Sequence, residues 1–480
     1  MKKYLQLILV SVTIVLLFIS CGREHSHQKA KYVFFFIGDG MGQVQINAAE
    51  AYLAAVDGEK GFQHFEFTQF PAVGFASTFA NNRFITGSAA SGTALATGHK
   101  TNINRISMDT SGTKPLKTIA EKCKDAGMKV GILTSVSIDH ATPAVFYAHQ
   151  PLRSMYFEIG LSLANSSFDF FGGGGFKSPD GEIDSVAVNI IEEAVNNGFT
   201  FVNTADGFHS LNRNSGKVIA VSNLLEESGA MKYAIDLNEA SLQLSDFTRK
   251  AIELLDNDNG FFMMVEGGKI DWACHANDAI TSIYETIAFS DAIDVAIEFY
   301  NEHPEETLIV ITADHETGGM GLGNKLTKYE TDLAILEHQV ISSQAFVEVI
   351  RSFRVNLTGN IEVDFEHMLE IIDQYFGLGN SDKIPLTDEE LELIENAFMV
   401  SLYTSEYGTP DHAYHDHEPL ADLMNKIMSD KAGVGWTTFS HTGVNVPVYA
   451  IGVGAEYFSS YIDNTDIPKI MEEVIMDGVH

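Results

Sequence analysis

The sequence predicts an α/β protein: a large, mostly parallel central sheet with helices on both faces, plus a helical insertion. Three observations predict it. Five apolar runs, at residues 32–37, 130–134, 261–265, 308–312 and 446–451, are continuous rather than alternating, as parallel strands covered on both faces are. Segments with helical spacing, at 116–126, 183–196, 244–255 and 280–300, lie between the runs, so strands and helices alternate. Polar residues come as the strands end: Asp39, Asp139, Glu266 and Asp314. Ligands of open α/β sheets bind beyond the carboxyl ends of the strands. One site can therefore draw on residues hundreds of positions apart, and residues 32–480 read as a single domain.

Taken in order, the chain opens on Lys2-Lys3, an apolar run over 4–19, and Ser20-Cys21-Gly22. A charged start, a short apolar stretch and a small residue before the cut read as an export signal over 1–20, with 21–31 a linker. The run is too short for a membrane span. Cys21 after Phe18-Ile19-Ser20 resembles a bacterial lipoprotein box, with Phe18 replacing the usual Leu. The expectation is an exported, periplasmic or cell-envelope protein, with Cys21 as a lipid anchor. If Cys21 is lipidated, Cys123 and Cys274 could form at most one bridge, so disulfides are not the framework. The net charge of −35 excludes a nucleic-acid binder. An anionic substrate must be drawn in by local positive charge, such as metal ions.

The first chemical segment is Gly38-Asp39-Gly40-Met41-Gly42, a carboxylate in a glycine turn where a strand ends. The second, residues 86–98, is rich in small residues. It predicts a tightly packed helix over 89–97 that Gly98 ends, with Ser88 at its N-terminus. Free N–H groups and the positive dipole end there favour negative charge, whether a bound phosphate or a serine alkoxide. Alone, Ser88 reads as an ordinary N-cap. The third is Asp139-His140-Ala141-Thr142-Pro143 with Arg153 following. A Thr hydroxyl and a nearby acid suit a hard cation, and an Arg fork can bind two phosphate oxygens.

The fourth is Val265-Glu266-Gly267-Gly268-Lys269-Ile270-Asp271-Trp272-Ala273-Cys274-His275. With a helix starting near Ile270, Asp271 and His275 share one face and can clamp an ion, while Glu266 serves another. Cys274 reads as a packed thiol. The fifth is Thr312-Ala313-Asp314-His315-Glu316-Thr317-Gly318-Gly319, whose Asp-His pair offers two ligands at a strand end, joined much later by a lone His441 in Phe439-Ser440-His441-Thr442-Gly443. Between His315 and His441, residues 333–353, 363–376, 388–403 and 419–429 look helical, an insertion over about 325–435. The histidine-rich run 411–417 within it reads as a solvated loop.

These motifs occur in the order of the alkaline phosphatases, which the chain resembles from about residue 32 to 451. The agreement of six separated motifs makes the resemblance specific. It implies a central sheet between helices, a homodimer, and hydrolysis of phosphate monoesters through a phosphoserine at a site with two zinc ions and a magnesium. It matches Asp271, His275 and His441 to the first zinc; Asp39, Asp314 and His315 to the second; and Asp39, Thr142 and Glu266 to the magnesium. Ser88 matches the nucleophile and Arg153 the phosphate-binding arginine. Residues 32–480 then form the catalytic domain.

Three positions depart from the best-known bacterial pattern. Gly87 precedes Ser88 where Asp is common, His140 stands for an Asp, and Trp272 for a Lys. His140 and Trp272 resemble the pairing of another bacterial branch and border the third metal and the phosphate. An imidazole there favours a softer ion such as Co2+ over magnesium. A sulfatase on the same scaffold should carry Cys/Ser-x-Pro-x-Arg, which 88–91 lacks. A diesterase tends to lack the third metal and the Arg, so Glu266, Thr142 and Arg153 favour monoesters. A metal-holding receptor without catalysis would have lost Ser88.

Overall fold

A computed structural model describes residues 28–226, 228–238, 241–379, 383–404 and 418–478. The export signal, Cys21 and the 411–417 run lie outside the described residues.

The main sheet has ten strands, numbered here along the chain. They are β1 (Tyr32–Gly38), β2 (Ala72–Ser77), β3 (Lys129–Thr134), β4 (Phe170–Gly173), β5 (Phe199–Val202), β6 (Lys217–Val221), β7 (Phe261–Gly267), β8 (Thr307–Thr312), β9 (Val446–Gly452) and β10 (Tyr461–Asp463). Their order is β10-β2-β9-β8-β1-β7-β3-β4-β6-β5. β1 is paired in parallel on both sides, with β8 and β7, and is buried along its whole length. The five apolar runs are β1, β3, β7, β8 and β9. β9 differs from expectation: it runs antiparallel to both neighbours, β8 and β2. A continuous apolar run reports burial on both faces and carries no information on direction.

The helix expected over 244–255 is found at Leu244–Leu255, and that over 280–300 extends to Ala279–Glu302, where the Asp278 side chain caps the Thr281 N–H. The segment expected as a helix over 183–196 is different. It begins as a hairpin, Asp180–Ile183 with Val186–Asn189, and only Ile190–Asn196 is helical. Asp184 and Ser185 both have positive φ, at 50° and 65°, which suits a tight two-residue hairpin turn. The Asn189 side chain then caps the N–H groups of Ile191 and Glu192 and starts the helix there.

Between β8 and β9 the chain is mostly helical. The expected helix over 333–353 is two pieces, a 3-10 turn at Leu333–His338 and a helix at Ser343–Val355. The Ser342 hydroxyl accepts the Ala345 N–H and opens the second piece. Ile361–Phe376, Asp388–Tyr403 and Pro419–Ala432 follow. Asp278 ties this segment to the main body by accepting from Gln339 and from the Ser343 N–H.

The register positions the site. Ile37 of β1 lies beside Glu266 of β7 and Thr312 of β8, and Glu266 lies beside Thr134 of β3. Four neighbouring strands thus end level. The residues just past them, Asp39, Asp314 and the 139–142 segment, converge on one edge.

Candidate active site

At that edge four carboxylates, Asp39, Glu266, Asp271 and Asp314, are buried to 1% exposure or less. Close approach needs glycine at one point. Gly40 has φ of 73°, and a Cβ there would stand 2.8 Å from the Asp271 Cα. Its N–H donates to Asp314 Oδ1 at 3.2 Å. The helix holding Asp271 spans Lys269–His275, so Asp271 and His275 share a face, with His275 Nε2 3.4 Å from Asp271 Oδ2.

The imidazoles are set by what holds their other nitrogens. His275 Nδ1 lies 2.6 Å from the Phe439 carbonyl, and His441 Nδ1 lies 3.0 Å from that of Thr86. A carbonyl accepts only, so each Nδ1 carries the proton and each Nε2 presents a lone pair. Those two Nε2 atoms face each other at 3.1 Å beside Asp271. His315 follows the same logic. The Thr317 hydroxyl donates to Asp271 Oδ1 at 2.5 Å and so accepts from His315 Nδ1 at 3.3 Å. His315 Nε2 then points among Asp314 Oδ2 at 3.3 Å, Ser88 Oγ at 3.4 Å and Asp39 Oδ1 at 3.5 Å.

Such a gathering of lone pairs is unstable without cations. Asp39 Oδ1, Glu266 Oε1, Asp271 Oδ2 and Asp314 Oδ2 are buried and accept no hydrogen bond among the described residues, which is costly for charged oxygens. Burial raises the Asp39 carboxyl well above its usual range, with Asp314, Asp271 and Glu266 adding repulsion. Burial lifts Glu266 to about 8 and, with Asp271, Asp314 to about 7. Asp271 is the exception: burial opposes ionisation, but His275, His441 and His315 hold it below the usual range. Burial keeps His315 and His441 neutral, as ligands must be.

Among the described residues three groups have ligand atoms close enough to hold an ion: Asp271/His275/His441, Asp39/Asp271/His315 and Asp39/His140/Glu266. The first is the set expected for one zinc. The second gathers Asp271 where Asp314 was expected, because Asp271 stands between the two histidine groups; Asp314 remains beside His315. The third includes His140, while Thr142 donates to Asp39 Oδ2 at 3.2 Å. Hard oxygen donors and neutral imidazoles together suit divalent ions.

Ser88 is the first residue of the helix Ser88–Thr97, Gly87 is its N-cap, and Gly98 ends it in the left-handed region. Intrahelical bonding starts at Ala90, so the N–H groups of Ser88 and Ala89 precede it, beside the metal groups. Ser91 Oγ donates to the Asp314 carbonyl at 2.6 Å and fastens this helix to β8. Arg153 Nη2 donates to His140 Nε2 at 3.0 Å, and His140 meets the Trp272 ring edge-on at 5.8 Å. Asp139 instead accepts the N–H groups of Lys177 and Ser178. Cys274 is a free, buried thiol packed against Ser282.

Thr317 lies inside the fifth motif, where no role was expected for it, yet it orients both Asp271 and His315. Nor was a role expected for Glu316, which accepts from Gln45, from the Gly319 and Met320 N–H groups and from Thr442, beside His441. A Cβ on Gly87 would have open space, its nearest atom being His441 Cε1 at 3.9 Å. Gly87→Asp should therefore fold, and its carboxylate is expected to hold Arg153 as the Asp common at this position would. Tighter competitive inhibition by phosphate, with slower turnover, is expected; unchanged inhibition constants would rule this out.

The alkaline phosphatase family model matches residues 30–169 and 177–476. Alkaline phosphatase 3 of Bacillus subtilis is 32% identical over 457 residues, covering 93% of this chain and 89% of that protein. A cold-active alkaline phosphatase from Shewanella sp. superposes with a TM-score of 0.77 at 29% identity, covering 92% of this chain and 99% of that one. A histidine-to-glutamate mutant of the alkaline phosphatase from the Antarctic bacterium TAB5, with Mg bound in its M3 site, superposes with a TM-score of 0.63 at 25% identity, covering 94% and 99%. The fold, the metal-compatible clusters and these matches agree: the chain belongs to the alkaline phosphatase family, whose general reaction is the hydrolysis of phosphate monoesters.

Proposed function

We propose that the site hydrolyses phosphate monoesters in two displacements at Ser88. The observation that carries this reading is Ser88 Oγ at the start of a helix, 3.4 Å from His315 Nε2, within the cluster of lone pairs. Ser88 Oγ gives up its proton to solvent and attacks phosphorus in line with the ester oxygen; the Ser–O–P bond forms, the ester bond breaks, and the departing alkoxide takes a proton from water. Water then loses a proton and attacks the phosphoserine; the Ser–O–P bond breaks, Ser88 Oγ regains a proton, and phosphate leaves. Arg153, steadied by His140, and the N–H groups at the helix start hold the non-bridging oxygens of the transferred phosphoryl group as charge spreads over them.

Zinc ions at Asp271/His275/His441 and Asp39/Asp314/His315, with magnesium or another divalent ion such as Co2+ at Asp39/Thr142/Glu266, would supply Lewis acidity to the attacking and leaving oxygens. Magnesium at the third position is supported by the TAB5 mutant with Mg in its M3 site. His140 inside the third cluster argues for a softer ion in this chain. We also propose residues 32–480 as the catalytic domain with 325–435 inserted, export with a lipid anchor at Cys21, and a homodimer, all on the sequence features and family resemblance above.

The test compares an aryl phosphate monoester with a diester and a sulfate ester. The monoester is expected to be cleaved far faster. Arg153→Ala should raise its KM by about tenfold to a hundredfold, since hydrogen bonds to charged groups contribute about 1.5–3 kcal/mol. Preferential cleavage of the diester or the sulfate ester would overturn the reading.

A further inference from the structure

Asp139 stands next to His140, yet the reaction uses no part of it. Its carboxylate, fully buried, accepts the Lys177 N–H at 2.9 and 3.0 Å and the Ser178 N–H at 3.3 Å. The chain reaches Lys177 through Gly172-Gly173-Gly174-Gly175, pressed against the exit of β3. A Cβ on Gly173 would fall 1.9 Å from the Thr134 carbonyl oxygen, and one on Gly174 1.8 Å from that of Val136. The Gly174 N–H donates to the Thr134 carbonyl at 3.1 Å, and the Ile138 N–H to that of Gly175 at 2.7 Å. Lys177 is therefore presented by a pinned loop.

Its exposed side chain leads back toward the site. Lys177 Nζ lies over the Tyr156 ring, 4.7 Å from the centroid, and Tyr156 comes three residues after Arg153, opening the helix Tyr156–Ala164. Arg153 in turn donates to His140, the neighbour of Asp139. These contacts close a ring, Arg153 to His140 to Asp139 to Lys177 to Tyr156 and back along the chain, which ties the Lys177 loop to the segment that carries Arg153. Among the described residues the Lys177 ammonium pairs with no carboxylate, although the chain has 65 acids to 30 Lys and Arg. An exposed ammonium held on an aromatic ring, on a loop pinned next to His140, can receive a second negative group.

We propose that Lys177, seated on Tyr156, is a second anion-recognition point, and that preferred substrates are monoesters whose alcohol part carries a further anionic group. Arg153 takes the phosphoryl group that is transferred; Lys177 takes the charge that leaves with the alcohol. The inference rests on the phosphomonoesterase reading above. Its test measures kcat/KM for phenyl phosphate and carboxyphenyl phosphate with the metal-loaded full chain. The ratio of charged to neutral substrate is expected to fall about threefold to fivefold in Lys177→Gln, through KM, as suits a solvent-exposed ion pair. Lys177→Arg should restore it. In the wild type the ratio should shrink as salt rises, and in Lys177→Gln it should not respond. An unchanged ratio in Lys177→Gln, with phenyl phosphate cleaved, overturns the role of Lys177 alone. Cleavage of neither substrate by the wild type overturns the phosphomonoesterase reading itself.

Discussion

Ser88→Ala is expected to lower kcat/KM for a phosphate monoester by at least about a thousandfold, because the variant cannot form the Ser–O–P bond and only water remains to attack. The fold should survive. Among the described residues the Ser88 hydroxyl makes one contact, 3.4 Å to His315 Nε2, and alanine suits the first turn of a helix already built from small residues. Unfolding curves close to wild type would show that the lost activity belongs to the hydroxyl. Phosphate should still bind, since Arg153 and the helix N–H groups are untouched. A variant with wild-type turnover would remove Ser88 as nucleophile and leave a scaffold using some other attacking group.

Removing the metals is expected to abolish turnover and to destabilise the protein together. An ion that binds only the folded state contributes about 4 kcal/mol per site at a thousandfold excess over its Kd, and without it the orphaned oxygens of Asp39, Glu266, Asp271 and Asp314 stay buried without a bound cation. The pH dependence of the chelated protein follows in sign. Glu266 and Asp314 have folded-state pKa values raised to about 8 and about 7. Raised values mean that the folded state binds more protons than the unfolded chain between roughly pH 4 and 8, so stability falls as pH rises through that window. Thermal unfolding of chelated protein from pH 5 to 8.5 should show this decline, and zinc added back should flatten it while restoring hydrolysis. A second metal, magnesium or cobalt, then reports on the His140 cluster. Chelated protein that stays equally stable across this range would mean that the acids are not held together as described.

The chemistry was unusually legible because the ligands are grouped in short motifs at strand ends. Asp271 and His275, four apart, needed only a helix to meet, and a helix starts there at Lys269. Burial along β1, β7 and β8 was visible in runs such as Val33 to Ile37, since residues covered on both faces are apolar without alternation. The short strands β4, β5, β6 and β10 were not visible; three to five residues carry too little pattern to separate a strand from a turn. The 183–196 error has the same root, a four-residue strand on each side of Asp184-Ser185 running into a helix.

Local chemistry along the chain nominated the candidate residues: Asp39, Ser88, Thr142, Arg153, Glu266, Asp271, His275, Asp314, His315 and His441 all carry groups that suit metal or phosphate, in one recognisable order. Their grouping was decided by assembly. Asp271 lies between two histidine groups, His140 joins Asp39 and Glu266, and Thr317 locks a carboxylate and an imidazole at once. The reason is geometric: side chains from separate strands meet at distances fixed by sheet register and by glycine-permitted approach, as at Gly40. The direction of β9 and the pinning of the Lys177 loop to Asp139 depend on the same long-range packing, of which a linear chain carries no local trace.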